Sequence, residues 1–156
     1  MMKKIYLCTM FLMIMLHSIC FADEQFCIEE TLKPVPDSIA QVILSYEKDP
    51  IWKVCKFEGK PIDLDGDGKA EDFAVTTADG CNCGNALCAI WVLRRTGNSY
   101  SVVLSDGGYS MNIGKQKHNG LADISFEAST TGWSQKHSWV FDGKRYTKIN
   151  QKNKNR

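Results

Sequence analysis

The chain has 156 residues, and its 19 lysines and arginines nearly balance its 18 aspartates and glutamates. A charge this close to zero gives no basis for a nucleic-acid partner or for attraction to an anionic membrane surface. The length suits one domain with its own core, and no internal repeat or long linker divides it.

The first segment is read as a targeting signal rather than as part of the fold. Met1–Lys4 is a short positive head, Ile5–Leu16 is an uncharged apolar run, and the run closes on the small residue Ala22. This is the layout of a secretory signal peptide, with cleavage expected after Ala22. The apolar run is shorter than the ~20 residues of a membrane span. Cys20 follows His17, Ser18 and Ile19 rather than the small residues of a lipidation site. The expected product is therefore periplasmic or secreted, with no membrane attachment after cleavage. Residues 23–149 are expected to form the single domain, and 150–156, basic and polar, a disordered tail.

Residues 23–33 read as an extended arm that a bridge from Cys27 would pin down. In VPDSIAQVILSYEK, Ile39, Val42, Ile43 and Tyr46 recur at helical spacing and predict one amphipathic helix. Pro36 suits its first position, Ser38 and Gln41 resemble a capping box, and Asp49-Pro50 is the expected stop. Beyond Pro50 the period shifts towards two. IWKVCKF alternates, Phe73–Thr77 is β-branched, and Leu87–Arg95 is a longer apolar run that turns at TGN into Ser99–Ser105. YSMNI reads as a short strand and KQKHNG as a polar connection. In Leu121–Ser129, Leu121, Asp123, Ser125 and Glu127 alternate with Ala122, Ile124, Phe126 and Ala128. TTGWSQ reads as a loop. KHSWVF-DG-KRYTKI then predicts a hairpin with Asp142-Gly143 in a two-residue type I′ turn. Together these elements predict an α+β domain: one N-terminal amphipathic helix packed on a curved, mainly antiparallel β-sheet.

Between two of these strands lies IDLDGDGKAEDF, which concentrates Asp63, Asp65, Asp67, Glu71 and Asp72. Counting from Asp63, carboxylates stand at positions 1, 3, 5 and 9, and Gly68 at position 6 permits a sharp turn. Alternate side chains of such a loop converge on one point. The set suits a hard cation, held by Asp63, Asp65, Asp67, Glu71 and the backbone carbonyl of Lys69. Calcium is the expected ion, with magnesium second because it demands stricter octahedral geometry. An EF-hand is excluded, since its position-12 glutamate is here Ala74 and a strand follows. The stretch Pro61–Val75 resembles the Asp-x-Asp/Asn-x-Asp-Gly-x-x-Asp/Glu loop of FG-GAP and VCBS-type repeats, and that resemblance implies calcium bound at a β-hairpin. Those repeats build propellers in tandem, whereas this chain has one copy, so no propeller is implied. The wider layout resembles that of small exported bacterial proteins of unassigned role, with a helix, one such loop and an FDGKRY-like hairpin.

After signal cleavage the cysteines are Cys27, Cys55, Cys81, Cys83 and Cys88, enough for two bridges and one leftover thiol. Export favours disulfides over thiolate–metal chemistry. CNCGNALC offers only three thiols, and a tetrahedral zinc site needs a fourth ligand. The expected bridges join Cys88 to Cys81 or Cys83, with another involving Cys27 and Cys55. No G-x-S-x-G elbow, H-E-x-x-H pair or phosphate-cradling glycine loop is present. His118 and His137 read as solvated positions, Trp91 as core and Trp52 as packed against the helix. Trp133, in a glycine- and serine-rich segment, is a candidate binding anchor. The reading is an exported, non-catalytic calcium-binding module that recognises a protein or another envelope macromolecule, as an inhibitor or immunity-type protein would. The alternative is a thiol- or metal-handling enzyme built on Cys81, Cys83 and Cys88.

Overall fold

A computed structural model describes residues 24–84, 87–130 and 133–149, without the side chains of Thr130 and Trp133. The expected signal segment and basic tail lie outside the described residues. In chain order the elements are β1 (Glu24–Cys27), β2 (Lys33–Pro34), α1 (Asp37–Tyr46), β3 (Phe57–Ile62), β4 (Asp72–Thr77) and β5 (Cys88–Thr96). There follow β6 (Ser99–Gly108), β7 (Ser110–His118), β8 (Leu121–Thr130), β9 (Trp133–Phe141) and β10 (Tyr146–Ile149). The strands form two five-stranded antiparallel sheets, ordered β2-β3-β4-β5-β6 and β1-β7-β8-β9-β10.

The α+β expectation is corrected by this arrangement. Among the described residues the chain is mainly β, a stack of two meanders with one ten-residue α-helix on the outside. The reason lies in β5, whose apolar run is covered on both faces. Ile90 and Val92 join Phe26, Leu104, Met111, Ile124 and Phe126 in a core between the sheets. Trp91 and Leu93 point the other way, to Ile39 and Ile43 of α1 and Phe57 of β3. Each fully buried large apolar side chain contributes on the order of 1.5–3 kcal/mol, and the inter-sheet layer holds the greater number. The outer face of the second sheet is polar: Asp123, Ser125 and Glu127 alternate with buried Ala122, Ile124 and Phe126, as their spacing predicts. Leu121 departs from that alternation and is buried too.

The chain passes between sheets at one corner. Gly108 still pairs with Cys88 of β5, while the next residue, Tyr109, donates its N–H to Glu127 O of β8 at 2.7 Å. A Cβ on Gly108 would stand 3.2 Å from both Glu127 O and Ser110 O, so the crossing favours glycine.

Several local expectations change. The helix is capped by Pro36, whose carbonyl accepts from the N–H groups of Ile39 and Ala40, and no side-chain capping box forms. It stops at Tyr46, which is half exposed, and Ile39 and Ile43 supply its buried stripe. Pro50–Val54 is a 3-10 helix rather than the start of a strand. Pro50 has no N–H for a ladder, and its fixed φ suits a helix start, while Asp49 accepts from Ile51 N at 3.0 Å. KQKHNG continues β7 to His118, and Asn119-Gly120, at φ 49° and 88°, makes the tight turn into β8. The closing hairpin turns differently from the expected type I′. Only Gly143 has positive φ there, and Asp142 Oδ1 accepts from both Lys144 N and Arg145 N at 2.8 Å. β9 already begins at Trp133, opposite Thr130, although the side chain of Trp133 lies outside the described residues.

Candidate metal centre

β3 and β4 pair from Phe57–Thr77 down to Ile62–Asp72, so the acidic segment is the connection of a hairpin, as expected. Its footing is Leu64, which is fully buried in the inter-sheet core. The Leu64 carbonyl accepts from Ala122 N at 2.8 Å, and its N–H donates to Asp72 Oδ2 at 3.3 Å. One hydrophobic residue thus fastens the loop to both sheets. Gly66 and Gly68 turn the chain at φ 63° and 88°. At Gly68 a Cβ would meet nothing, so only its backbone angle calls for glycine; at Gly66 a Cβ would strike Lys117 Nζ at 2.3 Å.

The aspartates curl the backbone around themselves. Asp63 Oδ1 accepts from Gly66 N at 2.6 Å and Asp67 N at 3.3 Å, and Asp63 Oδ2 accepts from Gly68 N at 2.9 Å. Asp65 Oδ1 accepts from Asp67 N at 3.2 Å. Asp67 Oδ1 accepts from Lys69 N at 2.8 Å, and the Lys69 ammonium stands 3.3 Å from Oδ2. The backbone N–H of Lys69, helped by its ammonium and by Lys117, holds the Asp67 carboxyl below the usual carboxylate range. As a result, carboxylate oxygens of Asp63, Asp65 and Asp67 all lie within 4.8 Å of one another.

The remaining expected ligands are placed differently. Glu71 lies outside this triad and pairs with Arg95 Nη1 at 3.4 Å. The Lys69 carbonyl accepts from Glu71 N at 3.0 Å and keeps a second lone pair. Two residues outside the expected ligand set complete the surroundings. Lys117 reaches over from β7 and donates to Asp65 O at 2.5 Å. Asp72, outside the triad, is buried, and accepts from Arg95 N at 2.8 Å as well as from Leu64 N. Burial pushes its carboxyl above the ordinary range, against the pull of those two N–H groups. Its position directly after Glu71 marks the first residue of the returning strand, which is the signal that separates it from the triad.

The donor set suits a hard divalent cation. Three carboxylates converge, each has about four lone-pair sites, and Asp63, the most heavily bonded, accepts from three N–H groups. Among the described residues, the one cation touching the triad's carboxylates directly is the exposed ammonium of Lys69.

The cysteines resolve into Cys55–Cys81 and Cys83–Cys88 bridges, with Cys27 unbridged and half-buried. Cys88 takes one of its two expected partners. A bridge involving Cys27 and Cys55 together is overturned, because β1 holds Cys27 against Ser110 in the other sheet. Cys55 precedes β3 and Cys81 follows β4, and the Phe57–Thr77 pairing brings their ends together. The bridges fit an oxidising compartment, and among the described residues no helix is long and apolar enough to cross a membrane.

His118 is exposed and bonds Asp123 at 2.6 Å through Nδ1. His137, expected in solvent, is instead mostly buried against Asp106. Trp91 is fully buried, meets Trp52 edge-on at 5.2 Å and donates to Glu47 Oε1 at 2.6 Å. Compared with known proteins, the chain matches no family, no curated protein and no solved structure.

Proposed function

We propose that this protein is an exported, non-catalytic module that binds one calcium ion at the β3–β4 hairpin and recognises another macromolecule. The observation that carries the metal reading is the convergence of Asp63, Asp65 and Asp67. Asp63 and Asp65 fold the loop through backbone N–H groups, and the loop is fastened by Leu64 and Asp72, so the convergence is held by the fold. Calcium fits better than magnesium because it accepts irregular sets of oxygen ligands, whereas magnesium demands near-ideal octahedral geometry. The macromolecular partner, a protein or another envelope component, is inferred from size, bridges and the want of a recognisable catalytic motif. With Cys81, Cys83 and Cys88 joined in bridges, nothing favours thiol chemistry.

Thermal unfolding in millimolar calcium against chelator tests the metal. A site of ~10⁻⁴ M affinity adds about 1.4 kcal/mol at that concentration, which raises the Tm of a domain this size by about 3–6 °C. Asp65→Ala and Asp67→Ala should abolish the difference. If neither chelator nor substitution moves the midpoint, the calcium reading is wrong. Retention of no partner from envelope extracts, with calcium or without, would sink the recognition role.

A further inference from the structure

The outer face of the second sheet carries a row of uncharged residues that crosses all five strands. Register sets Gln25 of β1 opposite Asn112 of β7, and Asn112 opposite Ser125 of β8. Ser125 in turn faces Ser138 of β9, and Ser138 faces Ile149 of β10. Residues opposed in this way project on one side of a sheet, and the strand spacing makes the row about 19 Å long.

Longer side chains stand on either side of the row. Two residues along β8 in one direction, Glu127 pairs with Lys136 at 2.9 Å; two in the other, Asp123 bonds His118 at 2.6 Å. Beside Asp123 the β7 strand bulges, since Ile113 pairs with Ile124 but Lys117 already pairs with Ala122. Such bulges re-aim side chains and gather next to binding sites. The result is a trough of about 440 Å³ lined by Asn112, Gln116, Ser125, Ser138 and Ile149 among others. That volume is usual for a small-ligand site. Asn112, Ser125 and Ser138 are half-buried on its floor, and Ile149 is 42% exposed at its end.

The lining narrows the class of ligand. Amide and hydroxyl side chains each donate and accept, which matches a molecule rich in hydroxyls. The charged groups of the walls are paired with each other, so the trough offers no unopposed charge to an ion. Protein interfaces are centred on aromatic, methionine or arginine anchors and are poor in serine, whereas serine and asparagine form this floor.

We propose that the trough binds a neutral oligosaccharide laid across the strands. Its hydroxyls exchange hydrogen bonds with Asn112, Ser125 and Ser138, and a C–H face of one ring rests on Ile149. This rests on the reading that the protein recognises an envelope macromolecule, and it names that macromolecule as a glycan. It does not depend on calcium.

Cellobiose, maltose and N,N′-diacetylchitobiose are the probes, each titrated by NMR into the full, bridged chain with chelator present. At least one should shift the amides of Asn112, Ser125 and Ser138 saturably, while Thr77 in the other sheet stays still. Asn112→Ala should weaken binding about three- to ten-fold, and Ser125→Leu, which fills the floor, should abolish it. Both positions lie outside the core, and an unchanged thermal midpoint confirms the fold. If Ser125→Leu does not fold, Ser138→Leu replaces it, and the map of shifts in the native protein decides independently. No saturable shift with any of the three, shifts centred elsewhere, or binding that survives Ser125→Leu would each overturn the proposal. An envelope protein captured through this face, without saccharide binding, would overturn it too and leave the wider recognition role standing.

Discussion

Asp72 shows how one carboxylate can organise a loop without joining the candidate site. Its two oxygens receive N–H groups from Leu64, at the start of the acidic connection, and Arg95, on β5. Asp72→Ala leaves both donors unpaired and should destabilise the protein by about 2–4 kcal/mol in denaturant unfolding. Asp72→Asn keeps one acceptor and should cost less. The pH dependence separates the charge from the hydrogen bonds. Burial raises the folded carboxyl above its ordinary 3.8, so the native state holds that proton more tightly than the unfolded chain. Its contribution is fully present below about 4 and is lost as pH rises through the folded value. Unfolding of the native protein and of Asp72→Asn, compared across that window, should show native stability falling relative to the variant as pH rises. A constant gap would contradict it. The sequence places Asp63, Asp65 and Asp67 together because alternation in a glycine-bearing loop is a local property. Lys117 and the Glu71–Arg95 pair depend on strands distant in the chain, and no spacing rule reaches them.

Element by element, legibility followed how local each cause is. Phe73–Thr77 and Leu121–Ser129 were readable because side-chain alternation and β-branching act within the strand itself. IWKVCKF alternates equally well, yet Pro50 and the Asp49 side chain turn it into a 3-10 helix. Two of the Asx-Gly pairs, Asn119-Gly120 and Asp142-Gly143, exchange roles for a similar reason. Asn119-Gly120 turns in two residues and Asn119 Nδ2 donates to Phe141 O at 2.8 Å, whereas Asp142 uses its carboxylate to span a longer turn. The continuous apolar run of β5 signals burial on both faces but not what covers each, which is why one sheet was expected where two exist. The bridges also act at this scale. Cys55–Cys81 closes a separation of 26 residues and Cys83–Cys88 one of 5. By loop-closure entropy, removing the first as a double alanine variant should cost about 3–4 kcal/mol and the second about 2 kcal/mol. Equal losses, or the reverse order, would show that strain or local packing outweighs chain entropy here.

For the molecule as a whole, the carboxylate loop joins both layers. Leu64 fills the inter-sheet core, its carbonyl pairs with Ala122 N of β8, and Lys117 of β7 reaches the loop backbone. Calcium binding should therefore slow amide exchange at Ala122 as well as within the loop, while Thr147 on β10 stays unchanged. Protection confined to residues 63–71 would mean that the loop closes without engaging the second sheet.

The pairing of β1 with β7 carries a kinetic consequence. Every other pairing in the two sheets joins strands that are neighbours in the chain, and these close shorter loops, the longest of them running from Pro34 to Glu58 around α1. β1 alone waits, because Glu24 cannot meet Ile113 until most of the chain has been made. Closing that long loop is the slow, high-contact-order step. Until it happens, the free edge of β7 presents unpaired N–H and C=O groups that any extended segment can fill. The most similar competitor is the same arm from a second chain. Refolding at high protein concentration should then yield arm-exchanged dimers by size-exclusion chromatography, and dilute refolding should yield monomers. A four-residue strand at the edge of a sheet thereby decides whether the last folding event is solitary or shared.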